Sequence, residues 1–120
     1  MAAKFKYNED ILELSNFARV MSNPVRAYIM KKLSDMNTCC YGCDIVKELR
    51  IAPSTVSQHL KELKYAGLIQ GVTEGPFIKY CINSENWKEA GYLFREFFGE
   101  LPVKKEDICD IKSVENNNDI

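Results

Sequence analysis

Between Asp10 and Met21 the apolar residues Ile11, Leu14, Phe17, Ala18 and Met21 recur at steps of three and four, the spacing that places them on one helical face. Ser22, Asn23 and Pro24 break that pattern and supply a new start, with Asn23 as N-cap and Pro24 at the first helical position. A second helix is predicted from Pro24 to about Asp35, with Val25, Ile29, Met30 and Leu33 inward. Met36 to Gly42 reads as a loop. Asp44 to Arg50 then reads as a short third helix, apolar at Ile45, Val46 and Leu49 and starting at or beside Cys43. Ile51 and Ala52 form a tight connection to Pro53, which opens a fourth helix that runs to about Tyr65 and is stopped at Gly67. Leu68 to Thr73 and Phe77 to Asn83 are rich in Ile, Val, Phe and Tyr, and Glu74, Gly75 and Pro76 separate them, so they predict a β-hairpin. A last helix from about Ser84 to Phe98 aligns Trp87, Ala90, Phe94, Phe97, Phe98 and Leu101 along a broad stripe.

Helices three and four form a helix-turn-helix, and a hairpin follows at once. The predicted fold class is therefore mainly α with a β-hairpin wing (α+β), a winged helix-turn-helix of order α-α-α-α-β-β-α. The stripes on the first and last helices hold more aromatic surface than a small monomer buries, which predicts a homodimer.

On the fourth helix, steps of about 100° per residue put Val56, Leu60 and Leu63 on the inward face. Ser54, Gln58 and Lys61 lie opposite, flanked by Ser57 and Lys64 on one side and Thr55 on the other. Short hydrogen-bonding side chains near the helix start, with cations further along, suit base edges and phosphates respectively. His59 lies at the edge of the buried face, as a structural residue or a phosphate contact, and Lys79 in the hairpin faces a neighbouring groove. The expected partner is double-stranded DNA.

The net charge of −1, from 16 basic and 17 acidic residues, runs against that expectation, since nucleic-acid-binding domains are usually basic. Its distribution removes the objection: residues 45–81 carry five basic and three acidic side chains, whereas residues 82–120 carry five and nine. The 120 residues fit one domain, read as 1–103, followed by a flexible acidic tail at 104–120. No window is apolar enough to span a bilayer and Met1 to Asp10 lacks the apolar stretch of a signal peptide, so no membrane partner and a cytoplasmic location are expected.

Five cysteines, Cys39, Cys40, Cys43, Cys81 and Cys109, are then expected as thiols in a reducing compartment. Cys81, inside a strand, reads as a small core residue. Cys39, Cys40 and Cys43 crowd at the start of the third helix, where the helix dipole should lower thiol pKa values and favour soft ions. One histidine with no evident base or acid partner offers nothing for nucleophilic catalysis, so the chain is read as a non-enzyme.

FARVMSNPVRAYIMKKL at Phe17 to Leu33, CDIVKEL at Cys43 to Leu49, STVSQHLKELKYAGLI at Ser54 to Ile69 and IKYCIN at Ile78 to Asn83 together resemble the ArsR/SmtB family of winged-helix metalloregulatory repressors. The resemblance covers about Ile11 to Phe98. It implies a homodimer that holds an imperfect palindromic operator, blocks transcription and lets go when an effector binds. Arsenic-responsive members carry a C-x-C-D-L element at the third helix. Cys43 aligns with its second cysteine and Tyr41 with its first, so this chain offers Cys39 and Cys40 upstream instead. Cys40 and Cys43 are the first-choice ligands, with Cys39 or Cys109 as third, and trivalent arsenic or antimony is the expected inducer, with other soft metal ions open. The family's Asp and His site on the last helix has no histidine here. A redox or persulfide sensor, pairing Cys40 or Cys43 with Cys109, is the alternative.

Overall fold

The computed structural model describes residues 5–36 and 39–100. Five helices and three strands follow in the order α1 (Glu9–Met21), α2 (Pro24–Met36), β1 (Cys40–Tyr41), α3 (Gly42–Leu49), α4 (Pro53–Tyr65), β2 (Ile69–Glu74), β3 (Phe77–Ile82) and α5 (Ser84–Phe98). Helix-start chemistry explains most of the boundaries. The Asn8 side chain accepts from the Ile11 N–H at 2.9 Å, and Glu9 and Asp10 sit in the first turn of α1, where the helix dipole favours them. Asn23 accepts from the Val25 N–H at 2.9 Å, as its reading as a cap requires, while Arg26 reaches back to donate to the Val20 carbonyl at 2.7 Å. The Asn-Pro-x-Arg sequence thus starts α2 and clamps it to α1 in one turn.

The core joins Leu14, Phe17 and Val20 of α1 to Ile29, Met30 and Leu33 of α2, Ile45 of α3, Val56, Leu60 and Leu63 of α4, and Ala90 and Leu93 of α5. On α1 the inward residue of the last turn is Val20, and Ala18 faces solvent. The α5 stripe divides: Ala90 and Leu93 are buried, whereas Phe97 and Phe98 are exposed. Leu101 lies outside the described residues, as does the tail at 104–120.

The wing departs from a simple hairpin. Cys40 and Tyr41, expected in a loop, add a short antiparallel strand, so β3 is central in a sheet of order β1-β3-β2 with Cys40 opposite Tyr80 and Tyr41 opposite Lys79. Helix α3 begins at Gly42, directly after β1 and beside Cys43 as expected, so that Gly42 belongs to the helix and not to the loop before it. The fit is close: a Cβ at Gly42 would lie 3.2 Å from the Tyr80 ring, which would have to give by a few tenths of an ångström. The other end of the unit is set by Gly67, at φ +80°, whose carbonyl accepts from the Asn86 side chain at 2.7 Å and so ties the end of α4 to α5.

Candidate nucleic-acid interface and thiol cluster

With Val56, Leu60 and Leu63 buried, α4 turns Ser54, Thr55, Ser57, Gln58, Lys61 and Lys64 outward, and all six are exposed. Pro53 occupies the first turn without needing a hydrogen-bond partner for its nitrogen. His59 is half-buried, and its Nδ1 is buried with no hydrogen-bond partner among the described residues. Arg50, which ends α3, takes a left-handed conformation (φ 55°) that turns the chain sharply into α4.

Lys79 stands on the wing but is not a free cation. Its ammonium lies 3.3 Å from Glu74 Oε2 and 5.4 Å from the centre of the Tyr41 ring. The Tyr41 hydroxyl donates to the same carboxylate oxygen at 3.1 Å, and Phe77 packs edge-on against Tyr41. The Tyr41 hydrogen bond, then Lys79, holds the Glu74 carboxyl below the usual carboxylate range, and the same bond raises the Tyr41 phenol. Tyr41 had carried no signal beyond filling a cysteine's place, because its partner lies 33 residues away.

The thiols differ from the sequence reading in two places. Cys39 and Cys81 form a disulfide across 42 residues of sequence, with Cα atoms 4.3 Å apart. Cys39 is therefore not a free ligand in this structure, and Cys81 is not a simple core residue. The cause is register: Cys40 pairs with Tyr80, so the next step outward sets Cys39 directly opposite Cys81, at the short separation typical of one class of antiparallel pair. Cys40 and Cys43 are free, the first half-buried and the second exposed. Burial pushes the Cys40 thiol up against the lowering effect of Lys32, opposite to the shift expected from the helix dipole. Cys109 lies outside the described residues. Among the described residues no three His, Cys, Asp or Glu side chains are grouped to hold a metal ion. Cys40 and Cys43 alone fit a soft ion in ligand type but not in number.

The family model described as "Bacterial regulatory protein, arsR family" matches residues 23–70, which run from the Asn23 cap through both helices of the helix-turn-helix into β2. A helix-turn-helix transcriptional regulator of Methanocaldococcus jannaschii, MJ1325, is 34% identical over 78 residues, 65% of this chain and 86% of that protein. The chain belongs to the arsR family. It is thus a transcriptional regulator that binds DNA through its helix-turn-helix, and the relatives indicate no enzymatic family. The cadmium resistance transcriptional regulatory protein CadC of Listeria innocua is 29% identical over 92 residues, 74% of this chain and 76% of that one. Among solved structures, HlyU from Vibrio cholerae shares the winged-helix fold with a TM-score of 0.64 at 21% identity, over 77% of this chain and 98% of that one. No helix among the described residues is long and apolar enough to cross a membrane.

Proposed function

We propose that this arsR-family regulator is a homodimeric repressor that reads an imperfect palindrome with α4 and releases it when Cys40 and Cys43 bind a soft ion, trivalent arsenic or antimony first. The observation that carries the reading is the placement of two free thiols at the entry to α3, the helix that packs beside α4. Thiolate sulfur is the soft donor such ions prefer, and a third sulfur would come from Cys39 once reduced or from Cys109. The cadmium-resistance regulator among the relatives supports a soft-ion effector of this general kind. On DNA, Ser54, Thr55, Ser57 and Gln58 approach base edges or phosphates, while His59, Lys61 and Lys64 track the backbone. Lys79 contributes from the wing only as part of its neutralising contact with Glu74.

The dimer is supported by exposed apolar surface on α1 and α5. Ile11, Leu12, Tyr92, Phe97 and Phe98 are all exposed there, and a cleft of about 230 Å³ between the two helices is lined by Ile11, Leu14, Tyr92, Leu93 and Phe97 together with the polar Asn8, Asp10 and Glu96. Monomers seldom expose aromatic surface in such a patch. Release requires the ion to bind the two conformations of the dimer unequally, since an ion with equal affinity for both shifts nothing.

The test is fluorescence anisotropy of a labelled operator, selected from a random duplex library, titrated with arsenite, antimonite and cadmium. Wild type should dissociate, and Cys40→Ser/Cys43→Ser should stay bound. If none of the three ions releases DNA from protein whose Cys40 and Cys43 are shown to be free by alkylation, soft-ion sensing is wrong.

A further inference from the structure

Alternation along the strands sorts the sheet into two faces. Cys40 and Tyr80 pack against the core, so the next residues on each strand, Cys39 and Tyr41 beside Cys81 and Lys79, share the outer face. The disulfide therefore sits on the solvent side of the sheet, and both of its residues are half-buried instead of enclosed. The segment that it closes, residues 39–81, contains α3, α4, β2 and nearly all of β3. A single bond thus converts the whole DNA-reading unit into one covalent ring.

What the bond holds is slight without it. β1 is two residues long and meets β3 through two register pairs, supplemented by the exposed Tyr41–Glu74 contact. Strands this short are marginal on their own. β1 also runs into α3 with no intervening residue, so any release of β1 reaches the first turn of the helix-turn-helix directly. Where gene regulators work, thiols are commonly kept reduced, and disulfides found there are usually exchangeable.

We propose that Cys39 and Cys81 form a thiol–disulfide exchange site for small disulfides and thiols, and that its closure fastens β1, and with it the start of α3, to the wing. In closure the Cys39 thiolate attacks one sulfur of a low-molecular-weight disulfide and expels one thiolate, leaving a mixed disulfide. The Cys81 thiolate then attacks the Cys39 sulfur and expels the second. The two protein thiols lose two protons and two electrons, and the small disulfide is reduced to two thiols. Opening is the reverse, with a small thiol as reductant. Cys40, one residue away, points to the other face of the strand and does not compete for Cys81.

The experiment uses the full chain, equilibrated without metal in a series of reduced and oxidised glutathione mixtures, quenched by alkylation and mapped by peptide mass. Its outcome is independent of soft-ion sensing because no ion is present. Cys39 and Cys81 should convert together, with a single midpoint, between alkylated and linked forms, while Cys40 and Cys43 stay alkylated throughout. Hydrogen exchange on the same samples should show amide protection at Cys40 and Tyr41 falling at least tenfold on opening, with Ile29 to Leu33 unchanged. Cys39→Ser should match the open form at every mixture. Cys81→Ser should do the same, and if it fails to fold, Cys39→Ser still removes the bond from its other end. A bond that stays closed in every mixture would be a fixed staple and would overturn the proposal. Linkage of Cys39 to Cys40, Cys43 or Cys109 would overturn it equally, as would opening without loss of protection at β1.

Discussion

The Tyr41 hydroxyl donates to Glu74 Oε2 at 3.1 Å, joining the residue before α3 to the end of the wing strand that leads into the turn. Lys79 completes the contact from the central strand. Both partners stabilise the ionised carboxylate, the Tyr41 bond more than the ammonium, and Glu74 titrates below its ordinary value of 4.5. The folded protein thus binds that proton more weakly than the unfolded chain does. The contact's contribution is full above the ordinary value and is lost as pH falls through the lowered one. Amide protection at Tyr41 and Lys79, taken relative to the unstructured exchange rate at each pH, should accordingly hold down to about pH 4.5 and fall below it. Glu74→Gln should flatten that profile, and an unchanged profile in the variant would remove Glu74 as its cause.

On α4 the exposed side chains divide by role. Gln58→Ala should relax preference at one base position by about 1–3 kcal/mol, the usual range for a side-chain-to-base pair. Lys61→Ala and Lys64→Ala should weaken binding to all sequences alike, each lowering the slope of log affinity against log salt by about 1. Anisotropy across a salt series on the selected operator separates the two patterns. A salt slope that is the same in both lysine variants and wild type would mean that neither touches phosphate.

The difference between what the chain announces and what it conceals is one of range. Val56, Leu60 and Leu63 could be assigned to the inward face of α4 because helical periodicity is local, and the outward set followed from it. Asn23 and Pro24 marked the start of α2 for the same reason. β1 was illegible: two residues cannot show an alternation, and they form a strand only because β3, some 40 residues later, offers them an edge. The cysteines misled for a related reason. A count of five and an assumed reducing compartment predicted free thiols, while the fact that decides the state of Cys39, its register opposite Cys81, exists only once the sheet is built. Tyr41 likewise read as a gap in a cysteine motif until Glu74 and Lys79 gave it partners.

Gly67 occupies a backbone conformation, φ +80°, that costs other residues about 1–2 kcal/mol. A Cβ there would also lie 2.8 Å from Asn86 Nδ2, the group that donates to the Gly67 carbonyl. Gly67→Ala should therefore lower stability by at least about 1–2 kcal/mol in urea unfolding. Asn86→Ala in the same background should recover part of the loss, since it removes the steric contact but not the backbone strain. Full recovery would show that strain contributes nothing.

Closing a ring across 42 residues removes conformations from the unfolded chain, by about 4 kcal/mol in the entropic estimate. Oxidised wild type should exceed Cys39→Ser in urea unfolding by up to that amount. The two should coincide once the wild type is reduced. A gap that persists in reductant would mean that the serine, not the lost bond, is responsible.

Cys39 cannot serve the disulfide and an ion at once. If Cys40 and Cys43 bind arsenite, closed protein can offer it those two thiols from the described residues, whereas opened protein adds Cys39 from the position immediately before β1. Three thiolates satisfy trivalent arsenic and two leave a position open, so reduction should tighten arsenite binding by at least about tenfold, or 1.4 kcal/mol. Alkylation with and without arsenite reads the ligand count directly: Cys40 and Cys43 should be shielded in the closed form, with Cys39 joining them in the open form. In Cys81→Ser, where Cys39 has no disulfide partner opposite it, the three-thiol pattern should appear without reductant. Shielding of Cys109 in place of Cys39 would move the third ligand to the C-terminal segment and uncouple the ion from the state of the disulfide.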